Sequence, residues 1–403
     1  KKNNQISLYD DNKKIFKKKY LKKFLLEKSK INQKNFDYIV VSPGINVHKC
    51  NLKKYLKKNS KKIITDLDIF YSHHSKNKII TITGTNGKST TAKLLNLILR
   101  DHKKDSRLCG NIGKPILEEK KISKKTLFVI EASSYQIDYS KLFKTNYAVI
   151  LNISPDHLER HGSIENYVSA KFKLVTTQSR KDFAYMNVND RYLKKKIKNS
   201  KIFSKIINVN YKAIHNFKKK ITNPYFLSQG NQENLAFIFS ISRKLNLQNK
   251  KIIKKINKFK GLKYRQEIIY NNNKITFIND SKATNLESVI VAMESFKNPI
   301  VLILGGRNKG ADFRLLLPHI KSSHVRDIIS YGDAGGQIST AIGDAVRSVQ
   351  VTDLNSAVRT AQSLAAPGDV VLLSPGCASF DQFSNFEERG KYFKSLVVEM
   401  GAA

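Results

Sequence analysis

Four side chains of this sequence could do chemistry together: a lysine at a helix start, a carboxylate and an imidazole at strand ends, and a lysine on the apolar face of a helix. Gly84-Thr85-Asn86-Gly87-Lys88-Ser89-Thr90 follows the β-branched run Ile79–Thr83 and precedes an amphipathic stretch from Thr90 to Arg100. Strand, glycine loop, helix is the order that lets backbone N–H groups cradle phosphate while the helix N-terminus adds partial positive charge. Lys88 would then reach terminal phosphates and the Ser89 hydroxyl a Mg²⁺ ion. Only Thr85 and Asn86 separate the two glycines, so the loop is shorter than the common G-x-x-x-x-G-K-[ST] form. Glu131 closes the run Leu127–Ile130, and His157 follows the run Ala148–Asn152. A carboxylate and an imidazole beside bound triphosphate can serve Mg²⁺, although magnesium prefers oxygen, and each alone also reads as an ordinary strand-end or loop residue. Within Ile164–Thr176 the residues Ile164, Tyr167, Val168, Leu174 and Val175 share one face, and Lys171 falls inside it. Such a lysine either snorkels to water or stays buried with a lowered pKa, and its neutral amine can then add CO₂ to become a carbamate.

The elements that must position these groups follow from pattern. Strands are predicted at 6–9, 38–41, 63–65, 79–83, 127–130, 148–152, 275–278, 300–304, 327–330 and 370–373, with helices such as 90–100, 164–176, 285–296 and 354–365 between them. Alternation of this kind predicts an α/β protein whose parallel sheets are covered on both faces, with ligands beyond the carboxyl ends of the strands. Thr284 and Glu287 have the spacing of a capping box opening the helix after Asp280-Ser281-Lys282-Ala283.

The chain of 403 residues is long enough for two or three domains, and 40% hydrophobic content excludes whole-chain disorder. No apolar run reaches the length of a membrane span or a signal peptide. The well-separated Cys50, Cys109 and Cys377 form neither a disulfide framework nor a zinc site. The reading is a soluble protein of the cytoplasm without a membrane partner. Net charge is +41, yet residues 299–403 hold 10 basic and 10 acidic residues and 11 of the 19 glycines, so the excess belongs entirely to the first 298. That excess is scattered Lys among Asn and Ile, as A/T-rich codons produce, and no nucleic-acid-reading module accompanies it, so no nucleic-acid partner is expected. A basic nucleic-acid-binding NTPase is the alternative from another class. It would show ATP hydrolysis stimulated by DNA or RNA.

The loop T-G-T-N-G-K-S-T resembles the ATP loop of the Mur ligases and folylpolyglutamate synthetases, ATP-dependent enzymes that form amide bonds. The resemblance runs from about Asp10 to the C-terminus and implies ATP and Mg²⁺ as cofactors. It implies a three-domain architecture: an N-terminally truncated Rossmann-like domain for a UDP substrate (1–66), a central P-loop ATPase domain (67–262) and a C-terminal Rossmann-like domain (263–403). In that family Glu131 and His157 would help hold magnesium with Ser89, and Tyr-Val-Ser-Ala-Lys171 is similar to the carbamylated-lysine motif. Gly84, Thr85, Asn86, Gly87, Lys88, Ser89 and Thr90 would bind nucleotide together with Asn231, Asn234, Arg265 and Asp280.

The tail strings Gly-Gly-Arg-Asn-Lys309 and Leu-Ser-Pro-Gly-Cys-Ala-Ser379-Phe380-Asp-Gln-Phe-Ser-Asn-Phe386 resemble the D-glutamate-adding members. This implies UDP-N-acetylmuramoyl-L-alanine and D-glutamate as substrates, in a cytoplasmic step of peptidoglycan precursor synthesis by a monomer. Lys282, Thr284, Lys309, Ser379, Phe380 and Phe386 would meet substrate, with Lys309 balancing the glutamate side chain and assisting catalysis. Asp10, Asp11, Gly44, Asn111 and Ser133 would contact the UDP substrate. The sequence opens at Lys1 without the first strand and glycine turn of those enzymes, from which weakened UDP-substrate affinity is expected. Another Mur ligase or a folylpolyglutamate synthetase is the alternative within the class.

Overall fold

Three sheets occupy three successive stretches of the chain. The computed structural model describes residues 5–11, 19–226, 229–271 and 275–401. A small parallel pair, β1 (Ile39–Val40) and β2 (Ile63–Ile64), comes first. The predicted strand 6–9 is not one: Leu8 makes a single bridge to Leu25, too little partner backbone to carry a ladder.

The central sheet is six-stranded and entirely parallel. It is built from β3 (Lys78–Thr83), β4 (Ser106–Gly110), β5 (Leu127–Glu131), β6 (Tyr147–Ile150), β7 (Phe183–Met186) and β8 (Lys205–Asn208), in the order 4-5-3-6-7-8. The register places Ile82 beside Glu131 and Thr83 beside Ile150. The glycine loop 84–87, Glu131 and the segment carrying His157 therefore leave the same edge of the sheet. Helices α1 (Asp66–His74), α2 (Lys88–Asp101), α3 (Ser134–Tyr139), α4 (Leu158–His161), α5 (Ile164–Thr176) and α6 (Gln229–Lys244) belong to this part. β5 is buried throughout, and the two faces of the sheet lie in two separate apolar clusters. Burial on both faces is why β3, β5 and β6 read as continuous apolar runs, whereas β4 and β8, only partly buried, are not among the predicted strands.

The third sheet contains β9 (Glu267–Asn271), β10 (Thr276–Asn279), β11 (Ile300–Gly305), β12 (Val325–Tyr331), β13 (Arg347–Gln350) and β14 (Val370–Gly376), in the order 13-12-11-14-10-9. One expectation needs correction here: β9 pairs with β10 antiparallel, because a hairpin joins neighbours that a short connection cannot join in parallel. Helices α7 (Leu286–Met293) and α8 (Phe386–Gly401) pack on this sheet. The cap of α7 is Asn285, whose side chain accepts from Ser288 N at 2.9 Å. It lies one residue beyond the predicted Thr284: Asn285 has the extended backbone of a cap, φ −143° and ψ 161°, and its side chain reaches the third helical N–H. Among the described residues no helix is long and apolar enough to cross a membrane.

Candidate functional site

The glycine loop 84–87 is held by side chains from distant positions. Asn152 Oδ1 accepts from Thr85 N (3.1 Å) and Asn86 N (2.8 Å), and its amide donates to Asn86 O (3.1 Å). Thr85 Oγ1 and the Tyr167 hydroxyl lie 3.1 Å apart, as do Thr90 Oγ1 and the Tyr225 hydroxyl. Gly87, at φ +81°, ends the loop where a Cβ would fall 2.2 Å from Asn234 Oδ1. A side chain at 87 would displace Asn234 and strain the backbone. Helix α2 begins at Lys88 rather than at the predicted Thr90, so its free N–H groups point into the loop.

Two lysines converge on one carbonyl. Lys88 Nζ donates to Gly84 O at 2.9 Å and to Thr85 O at 2.6 Å, and Lys171 Nζ donates to the same Gly84 O at 2.8 Å. Lys171 is 2% exposed, its ammonium 4.5 Å from the centre of the Tyr167 ring. Burial holds its pKa well below that of an ordinary lysine, and the neighbouring Lys88 adds to the effect. Burial also lowers the pKa of Lys88, opposed by Glu131. Glu131 is 1% exposed; Asn111 donates to its Oε1 at 2.9 Å, while its Oε2 is buried without a hydrogen-bond partner.

His157 sits at φ +56° at the start of α4, its ring 5.0 Å from Tyr135, with Asp156 Oδ2 3.5 Å from Nε2 and Glu159 Oε1 3.7 Å from Nδ1. Burial lowers its pKa against the pull of Asp156, and Lys309 lowers it further. Among the described residues no three His, Cys, Asp or Glu side chains form a metal cage. A Mg²⁺ ion still fits. The ion takes one or two carboxylates and fills its shell with water and phosphate oxygens, and the unpartnered Glu131 Oε2 is such a donor.

Across the loop lies a cavity of 330 Å³ between the central and third sheets. Asn86, Gly87, Asn231, Asn234, Arg265 and Asp280 line it, with Lys282 beside them. Asn231 donates to Tyr225 O at 2.7 Å, and Asn234 donates to Asn231 Oδ1 at 3.4 Å. Arg265 reaches over to Ser89 Oγ at 2.9 Å, and Ser288 Oγ donates to Asn86 Oδ1 at 3.2 Å, so both contacts cross between the sheets. Burial raises the Asp280 carboxyl to about 7, opposed by Arg265. Burial lowers Lys282 to about 8, helped by Arg265.

At the third-sheet end of the cavity the Lys282 ammonium lies 4.7 Å from the Phe386 ring centre. Ser281 Oγ donates to Phe386 O at 2.9 Å. Sequence reasoning missed Arg389, which is fully buried and ties these strings together: its Nε donates to Ser281 Oγ at 3.0 Å, and its Nη2 donates to Ser281 O at 2.8 Å and Cys377 O at 3.1 Å. Its only sequence signal was position, one helical turn after Phe386. Ser379 is buried, Thr284 half-buried, and Lys309 and Phe380 exposed, the last by 62%. The cap of α8 is Asn385, which accepts from Glu388 N at 2.8 Å.

The residues expected to meet the UDP substrate divide. Asp10 and Asp11 line a second cavity of 260 Å³ in the N-terminal stretch, with Ser42 and Ile45 on its wall. Gly44 lies between those two residues, and nothing stands within 4 Å of where its Cβ would be. Tyr9 donates to Asp11 at 2.5 Å. Asn111 is engaged with Glu131, and Ser133 with Gln136 in the capping box of α3.

The chain is similar to known proteins. Family models described as Mur ligase middle domain and as Mur ligase, glutamate ligase domain match residues 82–292 and 264–377. The UDP-N-acetylmuramoylalanine--D-glutamate ligase of Francisella philomiragia subsp. philomiragia is 36% identical over 370 residues, covering 91% of this chain and 87% of that one. That of Elusimicrobium minutum is 36% identical over 386 residues, covering 90% and 85%. The structure of the MurF ligase of Thermotoga maritima, in complex with ADP, is similar with a TM-score of 0.61 at 14% identity, covering 86% of this chain and 92% of that one.

Proposed function

The chain belongs to the Mur ligase family, and we infer that it is an ATP-dependent ligase that joins D-glutamate to UDP-N-acetylmuramoyl-L-alanine, the reaction that its relatives' names specify. The observation that carries this reading is the 330 Å³ cavity, which faces the phosphate loop on one side and Arg265, Asp280 and Lys282 on the other. Residues 1–66, 67–262 and 263–403 then serve as the UDP-substrate, ATP and amino-acid units, a division supported by one sheet lying in each stretch.

A free carboxylate is a poor acyl donor and must first be activated. The alanyl carboxylate of the UDP substrate attacks the γ-phosphorus of ATP, the bond to the β,γ-bridging oxygen breaks, and ADP leaves. The D-glutamate amine then adds to the acyl phosphate carbonyl, loses a proton, and the tetrahedral intermediate collapses with release of phosphate. Lys88 and the α2 N-terminus neutralise charge on the transferring phosphoryl group, in a site already organised by Asn152. Asn231, Asn234, Arg265 and Asp280 hold the nucleotide. Lys282, Thr284, Lys309, Ser379, Phe380 and Phe386 hold D-glutamate, with Lys309 opposite a carboxylate. Asp10, Asp11, Gly44, Asn111 and Ser133 serve the UDP substrate. Ser89, Glu131, His157 and a carbamylated Lys171 would hold Mg²⁺, which when bound supplies positive charge beside the phosphates.

The deciding assay is ADP formation with ATP, UDP-N-acetylmuramoyl-L-alanine and one amino acid at a time. ADP is expected with D-glutamate and not with L-lysine, meso-diaminopimelate or L-glutamate. ADP formed with one of those instead moves the chain to another branch of the family. Gly87→Ala is expected to raise the KM for ATP about tenfold or more, since backbone strain and the displaced Asn234 each cost on the order of 1–3 kcal/mol. An unchanged KM would remove the loop from the nucleotide site.

A further inference from the structure

The turn that follows His157 is tied to the wall of the N-terminal cavity by one side chain. Helix α4 is a single turn, and Arg160 extends from it between two rings of α3, with its guanidinium carbon 4.8 Å from the Tyr135 centre and 5.4 Å from that of Tyr139. From that slot Nη2 donates to Ile45 O and, at 3.4 Å, to Pro43 O. Pro43 and Ile45 belong to the loop in which Ser42 and Ile45 line the 260 Å³ cavity holding Asp10 and Asp11. Tyr139 in turn packs against the small apolar cluster of the N-terminal stretch, whose buried members are Val41, Val47, Leu56 and Ile63.

Arg160, itself part of the turn after His157, therefore joins that turn to two other parts: the helix that continues from Glu131 through Ala132 and Ser133, and the cavity wall. A core of four buried side chains is small, and directional contacts are needed to fix its orientation against the central sheet. Arg suits this slot because its planar group stacks on rings by its faces while its edge donates to carbonyls; an ammonium does neither in one geometry.

We propose that Arg160 is a positioning residue that sets the register between the nucleotide-sugar cavity and the phosphoryl-transfer centre. This rests on the ligase reading above. In that reaction a substrate anchored in the N-terminal cavity must bring a distant carboxylate to the γ-phosphate, so loosening the cavity wall costs binding of that substrate in the productive position. Among the described residues no hydrogen bond or ring contact of Arg160 reaches Lys282 or the lining of the 330 Å³ cavity, so its main effect is expected on the UDP substrate.

The test compares Arg160→Ala, Arg160→Lys and Tyr139→Leu with the unaltered chain in the three-substrate assay, with ATP affinity measured by calorimetry. Absence of D-glutamate-dependent ADP formation in the unaltered chain would refute the ligase reading itself, before any variant is compared. Given activity, Arg160→Ala is expected to raise the KM for the UDP substrate by about 10–100-fold, the worth of a lost charged hydrogen-bond donor. The KM for D-glutamate, the KM for ATP and the ATP affinity should stay within about twofold. Arg160→Lys should recover only part of the loss, and Tyr139→Leu should raise the same KM with the other two unchanged. A role confined to folding stability would instead lower the active fraction and leave all three KM values alone. That outcome, an equal rise in all three, or an unchanged UDP-substrate KM in Arg160→Ala and Tyr139→Leu, overturns the proposal. If Arg160→Ala no longer binds ATP, the other two variants decide on the same criteria.

Discussion

Lys88→Ala is expected to lower D-glutamate-dependent ADP formation by about 100–1000-fold or more, the cost of removing one preorganised group from a developing charge. The ammonium stands over the carbonyls of Gly84 and Thr85 at the entrance of α2, and in the proposed reaction its loss would remove positive charge from beside the transferring phosphoryl group. Its fold contribution is small by comparison. Two hydrogen bonds within one loop are lost, whereas the interior below is built of Ile80, Ile82, Leu94, Leu95 and Ile98, all fully buried. Thermal unfolding should therefore shift by only about 2–4 °C for each kcal/mol lost in a unit of this size. Turnover with all three substrates and a melting curve make the check. Unchanged turnover in a folded variant would exclude Lys88 from the reaction.

The parts of this site that sequence made legible are the local ones. A strand, a glycine loop and a lysine at a helix start are contiguous, so their geometry follows from spacing, and the structure starts α2 only two residues earlier than predicted. Periodicity placed Lys171 within the apolar face of α5 and left burial or snorkelling open, and the structure buries it. What escaped was the support contributed across long separations. Asn152 clamps a loop 66 residues earlier, Tyr225 meets Thr90 across 135 residues, and Arg389 reaches Ser281 across 108. Each is an ordinary polar residue in an ordinary local pattern, and only the chain's return brings it to its partner. The cap at Asn285 in place of Thr284 shows the same limit at short range. Two adjacent residues of capping type cannot be ranked until backbone angles decide which side chain faces the helix. The edge strand β9 was missed because its alternation is broken and its partner lies across a hairpin.

Lys171→Ala should be nearly inactive, falling by about 100–1000-fold, and partly restored by acetate. The structure supplies the reason for more than a packing role. Two lysine amines donate to the single Gly84 carbonyl oxygen, and like charges so close in a buried place disfavour both being protonated. Lys171 is the more deeply buried, and its pKa is pushed well below the ordinary lysine range. Its neutral amine can attack CO₂, forming an N–C bond and releasing a proton. The product carries a negative charge, so repulsion from Lys88 becomes attraction and the pocket gains two oxygen donors beside Glu131. The direction with pH follows: acid protonates the amine and removes the carbamate, so occupancy rises with pH through the lowered pKa. Carbon-13 NMR of the unaltered protein in labelled bicarbonate should show a carbamate signal that fades on acidification and is missing from Lys171→Ala. Acetate offers the same pair of oxygens without the covalent link, which is why rescue should depend on its concentration and should not be matched by chloride at equal ionic strength. Full activity of the alanine variant, or no carbamate signal at any pH, would return Lys171 to the role of a buried amine holding the Gly84 carbonyl.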